Sequence, residues 1–313
     1  SSEHTEPKKT EKLLTKENIA RSIFGLNKAA QEGDLEIVRW LVEENKIAPD
    51  SFTLSYAAGS GNLELVRWLI DEHRLKPNSF ALSEAARSGN IEIVNAVVAL
   101  GAKPDEDTLS YAIQSKSIQI VSAVVALEAK PDSKTLKSAV LSGNLELVRW
   151  LIDEHKLEPN SKTLSAAAKS GNIDIVLAVI AAAAKPDKDT LSMAAEGGNV
   201  DVVSAFIAAG AKPDSKTLSA AAKSGNIDIV LAVIAAGAKP DEATLSYAAR
   251  SGNIEIVRKV IASGAKPDND TLGWAAHRGN IEIFKLIINS KHILEEVLEY
   301  TLELNPTYKK LFA

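Results

Sequence analysis

Apolar residues in this chain do not alternate as a strand would require; they fall into two short stripes that recur together. In TLSAAAKSGN at 217–226, Leu218, Ala221 and Ala222 stand at i, i+3 and i+4, one side of a short helix. In NIDIVLAVIAAG at 226–237, Ile227, Val230, Val233 and Ile234 mark a second helical stripe. The pattern predicts two antiparallel helices joined by a tight turn at Gly225 and Asn226. The turn phrase occurs ten times. It reads GDLEIV at 33, GNLELV at 61, GNIEIV at 89, KSIQIV at 116, GNLELV at 143, GNIDIV at 171, GNVDVV at 198, GNIDIV at 225, GNIEIV at 252 and GNIEIF at 279. Successive starts lie 28, 28, 27, 27, 28, 27, 27, 27 and 27 residues apart. A fixed period of this length marks stacked units, none of which can bury its own stripe alone.

Cap residues support the helix pair independently. Each second helix is preceded by Asp34, Asn62, Asn90, Ser117, Asn144, Asn172, Asn199, Asn226, Asn253 or Asn280, whose side-chain oxygens can take an unpaired N–H. An acid or Gln follows two residues later, suited to the positive helix end. In nine of the ten turns a Gly precedes the cap, where a left-handed backbone ends the first helix. Pro followed by Asp or Asn stands at every junction (Asp50, Asn78, Asp105, Asp132, Asn160, Asp187, Asp214, Asp241 and Asp268), which predicts a cap for each following first helix. In the fourth unit Lys116 replaces the turn Gly and Glu128 the terminal one, so local loosening is expected there.

At LSxAAxSGNIxIVxxVIAxGA the units resemble the ankyrin repeat. In TLSYAARSGNIEIVRKVIASGA at 244–265 the resemblance rests on Leu245, Ala248, Ala249, Gly252, Ile256, Val257 and the Gly264–Ala265 ending, and it extends over roughly 24–292. It implies an all-α, ankyrin-like solenoid. Two departures stand out. The family's Thr-Pro-Leu-His start is replaced by forms such as Lys216-Thr217-Leu218-Ser219, and the period is shorter than the family's usual 33 or so residues. The β-hairpin fingers are therefore expected to shrink to Pro-containing turns, which weakens any expectation of fingertip contacts. Units ending WLVEENKIAPD (40–50), WLIDEHRLKPN (68–78) and WLIDEHKLEPN (150–160) carry one extra residue. Their second helix is expected to run longer, with Trp40, Trp68 or Trp150 covering the loop. Stacked at about 10 Å per step, the units would make a curved rod on the order of 100 Å long. The expected organisation is a polar mobile tail at 1–20, ten units at 21–292 and a helical cap at 293–313, where Ile293, Val297, Leu298, Leu302, Leu311 and Phe312 break the repeat.

Composition narrows function only to a class. Across 313 residues, 36 Lys and Arg against 41 Asp and Glu give a net charge of −5, unlike a general nucleic-acid or anionic-membrane binder. Zero cysteines excludes disulfides, thiolate nucleophiles and Cys-ligated metals. The longest apolar run, Ile175–Ala184, falls far short of the roughly 20 residues a bilayer-spanning helix needs. His73 and His155 are equivalent positions about 30 Å apart by the same helix-width step, so they cannot share a metal. No HExxH, P-loop or GxSxG motif occurs, and no catalytic residue, cofactor or metal is expected.

Function then falls to positions the repeat leaves free. With Leu54, Ala57 and Ala58 facing inward, positions 52, 56 and 59 and their equivalents point the other way, onto the concave side of an ankyrin-like stack. Tyr, Trp and Arg are the types most enriched in binding hot spots. The candidates are Phe52, Tyr56, Phe80, Arg87 and Tyr111 toward one end and Tyr247, Arg250, Trp274 and His277 toward the other. The aromatics suit packing between adjacent first helices equally well. Lys162, Lys169, Lys216 and Lys223 form a basic stripe that Asp189 and Glu196 interrupt, which fits either an acidic partner or a solvated, salt-bridged surface.

The resemblance implies a scaffold or adaptor that binds a protein partner. A non-enzymatic, monomeric, cytoplasmic protein is expected, with host cytoplasm as the setting if the chain is a bacterial effector. Other readings are a targeting segment of a larger enzyme, an RNA-binding array, or a designed array without a natural partner. The last draws on units 161–187 and 215–241, which differ only at Ala183 and Gly237.

Overall fold

The computed structural model describes residues 16–182, 184–278 and 280–289. Two compact units divide the chain after Pro131. The first contains helix pairs α1 (Lys16–Glu32) and α2 (Leu35–Arg39), α3 (Ser51–Ser60) and α4 (Leu63–Asp71), α5 (Ser79–Ser88) and α6 (Ile91–Ala99), and α7 (Thr108–Gln114) and α8 (Ile118–Ala126). The second contains α9 (Ser133–Ser142) and α10 (Leu145–Asp153), α11 (Ser161–Ser170) and α12 (Ile173–Ala181), α13 (Lys188–Glu196) and α14 (Val200–Ala208), α15 (Ser215–Ser224) and α16 (Ile227–Ala235), α17 (Glu242–Ser251) and α18 (Ile254–Ala262), and α19 (Asn269–His277) and α20 (Ile281–Ile288). Among the described residues no strand forms, so the expected shrinkage of the fingers is what the structure shows. The proposed cap at 293–313 and most of the tail lie outside the described residues; α1 begins at Lys16, ahead of the expected boundary at 21.

Capping explains where the helices start. All ten predicted residues cap a second helix through the side chain, as Asn226 does by accepting from the Asp228 N–H at 3.0 Å. The same Asn amides also tie repeats together. Asn62 Nδ2 donates to the Gly33 carbonyl at 2.9 Å and Asn199 Nδ2 to that of Gly171 at 2.9 Å, so one side chain caps its own helix and anchors the preceding turn. Helices α3, α9, α11, α15 and α17 begin with a reciprocal box: Asp241 Oδ1 accepts from the Thr244 N–H at 3.0 Å while Thr244 Oγ1 accepts from the Asp241 N–H at 3.0 Å. That Thr hydroxyl continues to the Ser of the preceding repeat, with Ser219 to Thr244 at 2.8 Å, Ser192 to Thr217 at 2.9 Å and Ser83 to Thr108 at 2.9 Å. Helix α7 departs from the expected cap at Asp105: it starts after Asp107, whose side chain makes no capping bond, while Asp105 still accepts from the Thr108 N–H at 3.0 Å.

The core differs from the predicted stripe in one respect. Leu218, Ala221 and Ala222 are fully buried as expected, but on α16 the buried set is Ile229, Val230 and Val233. Ile227 and Ile234 are only half-buried, so the inward face of the second helix is turned toward Ile229. Small residues on the first helices let neighbouring ones approach within hydroxyl bonding distance.

The units with an extra residue behave differently from expectation. Helices α4 and α10 are nine residues long, as is α6, so the insertion does not lengthen the helix. It enters the turn, where Arg74 and Lys156 take φ of 54° and 53° and the Leu75 and Leu157 N–H groups bond back to Leu69 and Leu151. In the first repeat the helix does run on, through a π turn at Trp40–Glu44, to ten residues, and Lys46 takes the same left-handed backbone at φ 57°. The tryptophans divide as well: Trp68 is buried and packs edge-on against His73 at 4.5 Å, whereas Trp40 is exposed and does not cover its loop. In the fourth repeat Lys116 does take the left-handed backbone predicted for it, at φ 57°.

Candidate functional site

In the amino-terminal unit the outward positions of α1, α3, α5 and α7 form an aromatic patch. Phe24 is 71% exposed and Phe52 54%, although both lie on packed helices. Phe52 meets Phe80 edge-on at 6.4 Å between centroids, and Tyr56 meets the same ring at 6.0 Å. Phe80, Tyr56 and Tyr111 are half-buried; the Phe80 and Tyr56 rings hold each other, and all three keep an open side. Packing and display therefore coexist in these residues.

Beside the rings lies an ion pair that the sequence reading left out. Glu84 is only 6% exposed, and its Oε2 accepts from both Nε and Nη2 of Arg87. That hydrogen bond raises the Arg87 pKa against the opposing effect of burial, with the Glu84 charge and Tyr111 adding to it. The pair fits because residue 59 of the adjacent helix is Gly. A Cβ there would clash with Glu84 Oε2 and lie 2.9 Å from Arg87 Nη2. The available signals were a charge placed between Tyr56 and Tyr111 in their column, and the i,i+3 spacing to Arg87.

In the carboxy-terminal unit the outward face is more polar. A hollow of about 390 Å³ lies between α13, α15 and α17, lined by Met193, Lys216, Ala220 and Tyr247 among others. A second of about 410 Å³ between α17 and α19 shares Tyr247 and adds Arg250, Asp270 and Trp274. The Arg250 guanidinium sits 4.7 Å from the centre of the Trp274 ring, and His277 packs edge-on to it at 5.9 Å. Lys223 Nζ bonds Glu196 Oε1 at 2.6 Å, across repeats. Lys169 is exposed. The structure thus brings Tyr247, Arg250, Trp274 and His277 together, and brings Phe52, Tyr56, Phe80, Arg87 and Tyr111 together in the other unit.

A family model described as ankyrin repeats (3 copies) matches residues 26–108, 82–163 and 164–244. The chain belongs to the ankyrin repeat family. Ankyrin repeats are in general protein-interaction modules. No described helix is long and apolar enough to cross a bilayer. Among solved structures the chain is similar to the human ASB11 ankyrin repeat domain, at 18% identity and a TM-score of 0.47, covering 60% of this chain and 98% of that one. No curated protein sequence matches it.

Proposed function

We propose that this ankyrin repeat chain is a non-catalytic scaffold or adaptor that holds a protein partner against the outward side of its first helices, with Phe52, Tyr56, Phe80, Tyr111, Tyr247, Arg250 and Trp274 as anchors. The observation carrying this reading is the arrangement of the aromatics. Each is half-buried or locked edge-on by a neighbouring repeat, as in the Tyr56–Phe80 and Arg250–Trp274 contacts, yet remains open to solvent on one side. Rings already ordered before association lose little conformational entropy on binding, which is what makes an anchor effective. With the fingers reduced to turns, the first helices carry most of the aromatic side chains left partly open, Trp40 on a second helix being an exception. Lys223 is not counted among the anchors, because Glu196 already engages its charge.

The test is affinity capture from eukaryotic lysate with this chain and with a Tyr56→Ala/Tyr111→Ala/Tyr247→Ala variant of unchanged helicity. A protein retained by the first and lost by the second supports the reading. Equal capture by both places the contact elsewhere and overturns it.

A further inference from the structure

Repeats 161–187 and 215–241 differ at one residue, yet their lysines are used differently. Lys223 of α15 meets Glu196 of the preceding first helix. Lys169 of α11 is the same residue of the same local sequence, but the position before it in that column is Leu141, which is 54% exposed. Helices α9 and α11 read SKTLKSAVLS and SKTLSAAAKS, four lysines and no acid, in a chain of net charge −5. Lys134, Lys137, Lys162 and Lys169 are all exposed, and among the described residues none makes an ion pair; Lys134 acts only at a distance on the cap Asp132. Between the lysine rows Ser138 is half-buried and Ala166 buried, so only small side chains floor the strip and nothing large stands between the lysines. Lys162 and Lys169 are seven residues apart, about 10 Å along the helix, and adjacent helices lie about 8–10 Å apart, so the lysines frame a strip one peptide wide.

We infer that this strip over α9 and α11 receives an acidic segment of the partner protein, carboxylates on Lys134, Lys162 and Lys169 and an apolar side chain on Leu141. The inference rests on the first-helix face being the binding face and specifies the chemistry recognised on one part of it. An acidic protein segment fits better than a nucleic acid because the strip offers no aromatic ring on which a base could stack. Glu196 marks the strip's end: beyond it the next identical lysine is already neutralised from within the chain.

The probe is a fluorescein-labelled acidic peptide, glutamates on both sides of a central Leu-Leu pair, followed by fluorescence anisotropy at about 50 mM salt, where screening is weak. Reversal at Lys162→Glu/Lys169→Glu is expected to weaken binding about tenfold, two attractions becoming repulsions. The neutral pair Lys162→Gln/Lys169→Gln should fall between. The matched reversal Lys216→Glu/Lys223→Glu, in the near-identical repeat, should cost distinctly less. Failure of the parent chain to bind the peptide, an equal loss in the matched reversal, or equal binding of a glutamine-for-glutamate peptide each overturns the inference. So does tighter binding of a single-stranded oligonucleotide lost through the same lysines. If Lys162→Glu/Lys169→Glu leaves capture of a lysate partner intact while the tyrosine variant abolishes it, this inference fails and the first-helix reading stands.

Discussion

The two units use the same helix pair but present different faces and carry different internal costs. In the amino-terminal unit the outward row is aromatic, and its buried Glu84 is neutralised by the half-buried Arg87. In the carboxy-terminal unit the row is mostly charged, and its pair Glu196–Lys223 is exposed. Backbone strain is also uneven. Lys46, Arg74, Lys116 and Glu128 of the first unit stand in the left-handed region without being Gly, against Lys156 alone among the described residues of the second. Capping shows the reverse bias: Asp132, Asp187 and Asp241 in the second unit have lowered pKa values, against Asp105 in the first. A repeat therefore fixes the scaffold, while its few non-consensus residues decide how each unit is stabilised and what it offers to a partner.

The strain difference should yield the largest effect. Lys116→Gly/Glu128→Gly is expected to stabilise the first unit by about 2 kcal/mol, since each non-Gly left-handed residue costs about 1 kcal/mol or more. Hydrogen exchange resolved by segment should show slower opening before residue 131 and no change after it. Next comes Glu84→Ala, which strips a nearly buried carboxylate from Arg87 and should destabilise the first unit by about 1–2 kcal/mol in chemical denaturation. A loss as small as that of a surface pair would show that Glu84 is no more than a solvated acid.

Acid should separate the units in the opposite direction. In Asp132 the backbone N–H of Thr135 is the main cause of the lowered pKa, and in Asp187 it is the Thr190 hydroxyl. Burial would raise Asp241, but hydrogen bonds from Thr244, Ser215 and Ser219 outweigh it. A depressed folded pKa contributes stability that is present above the unfolded value, near 3.9, and lost as pH falls through the folded one. The second unit should lose protection first as pH drops below about 4, and loss beginning in the first unit would contradict this. The smallest effect is expected from Glu196→Ala, about 0–1 kcal/mol, because both partners are half exposed and solvent screens them.

Much of this was legible in the sequence, and the reasons the rest was not are specific. Helix pairs, caps and the left-handed Lys116 follow from local residue chemistry, which a single repeat contains. Glu84 was missed because its burial depends on Gly59 one repeat earlier, and the contrast between Lys169 and Lys223 depends on Leu141 and Glu196 in the preceding repeats. The longer helix expected of the Trp repeats did not form at α4 and α10 for a local reason: a left-handed Arg74 or Lys156 lets the turn absorb the extra residue. Partner-facing residues are legible as a column, but only packing distinguishes a ring held with an open edge from one that is simply core.

The central claim is that partners dock on the first-helix side, and site-specific photo-crosslinking addresses it most directly. A benzophenone side chain placed at Phe52 or Tyr247 reports that face; one at Ile37 or Leu231, exposed on second helices, reports the other. The account predicts one partner adduct shared by the Phe52 or Tyr247 probes and absent from Ile37 and Leu231. Adducts formed from Ile37 or Leu231 alone would contradict it.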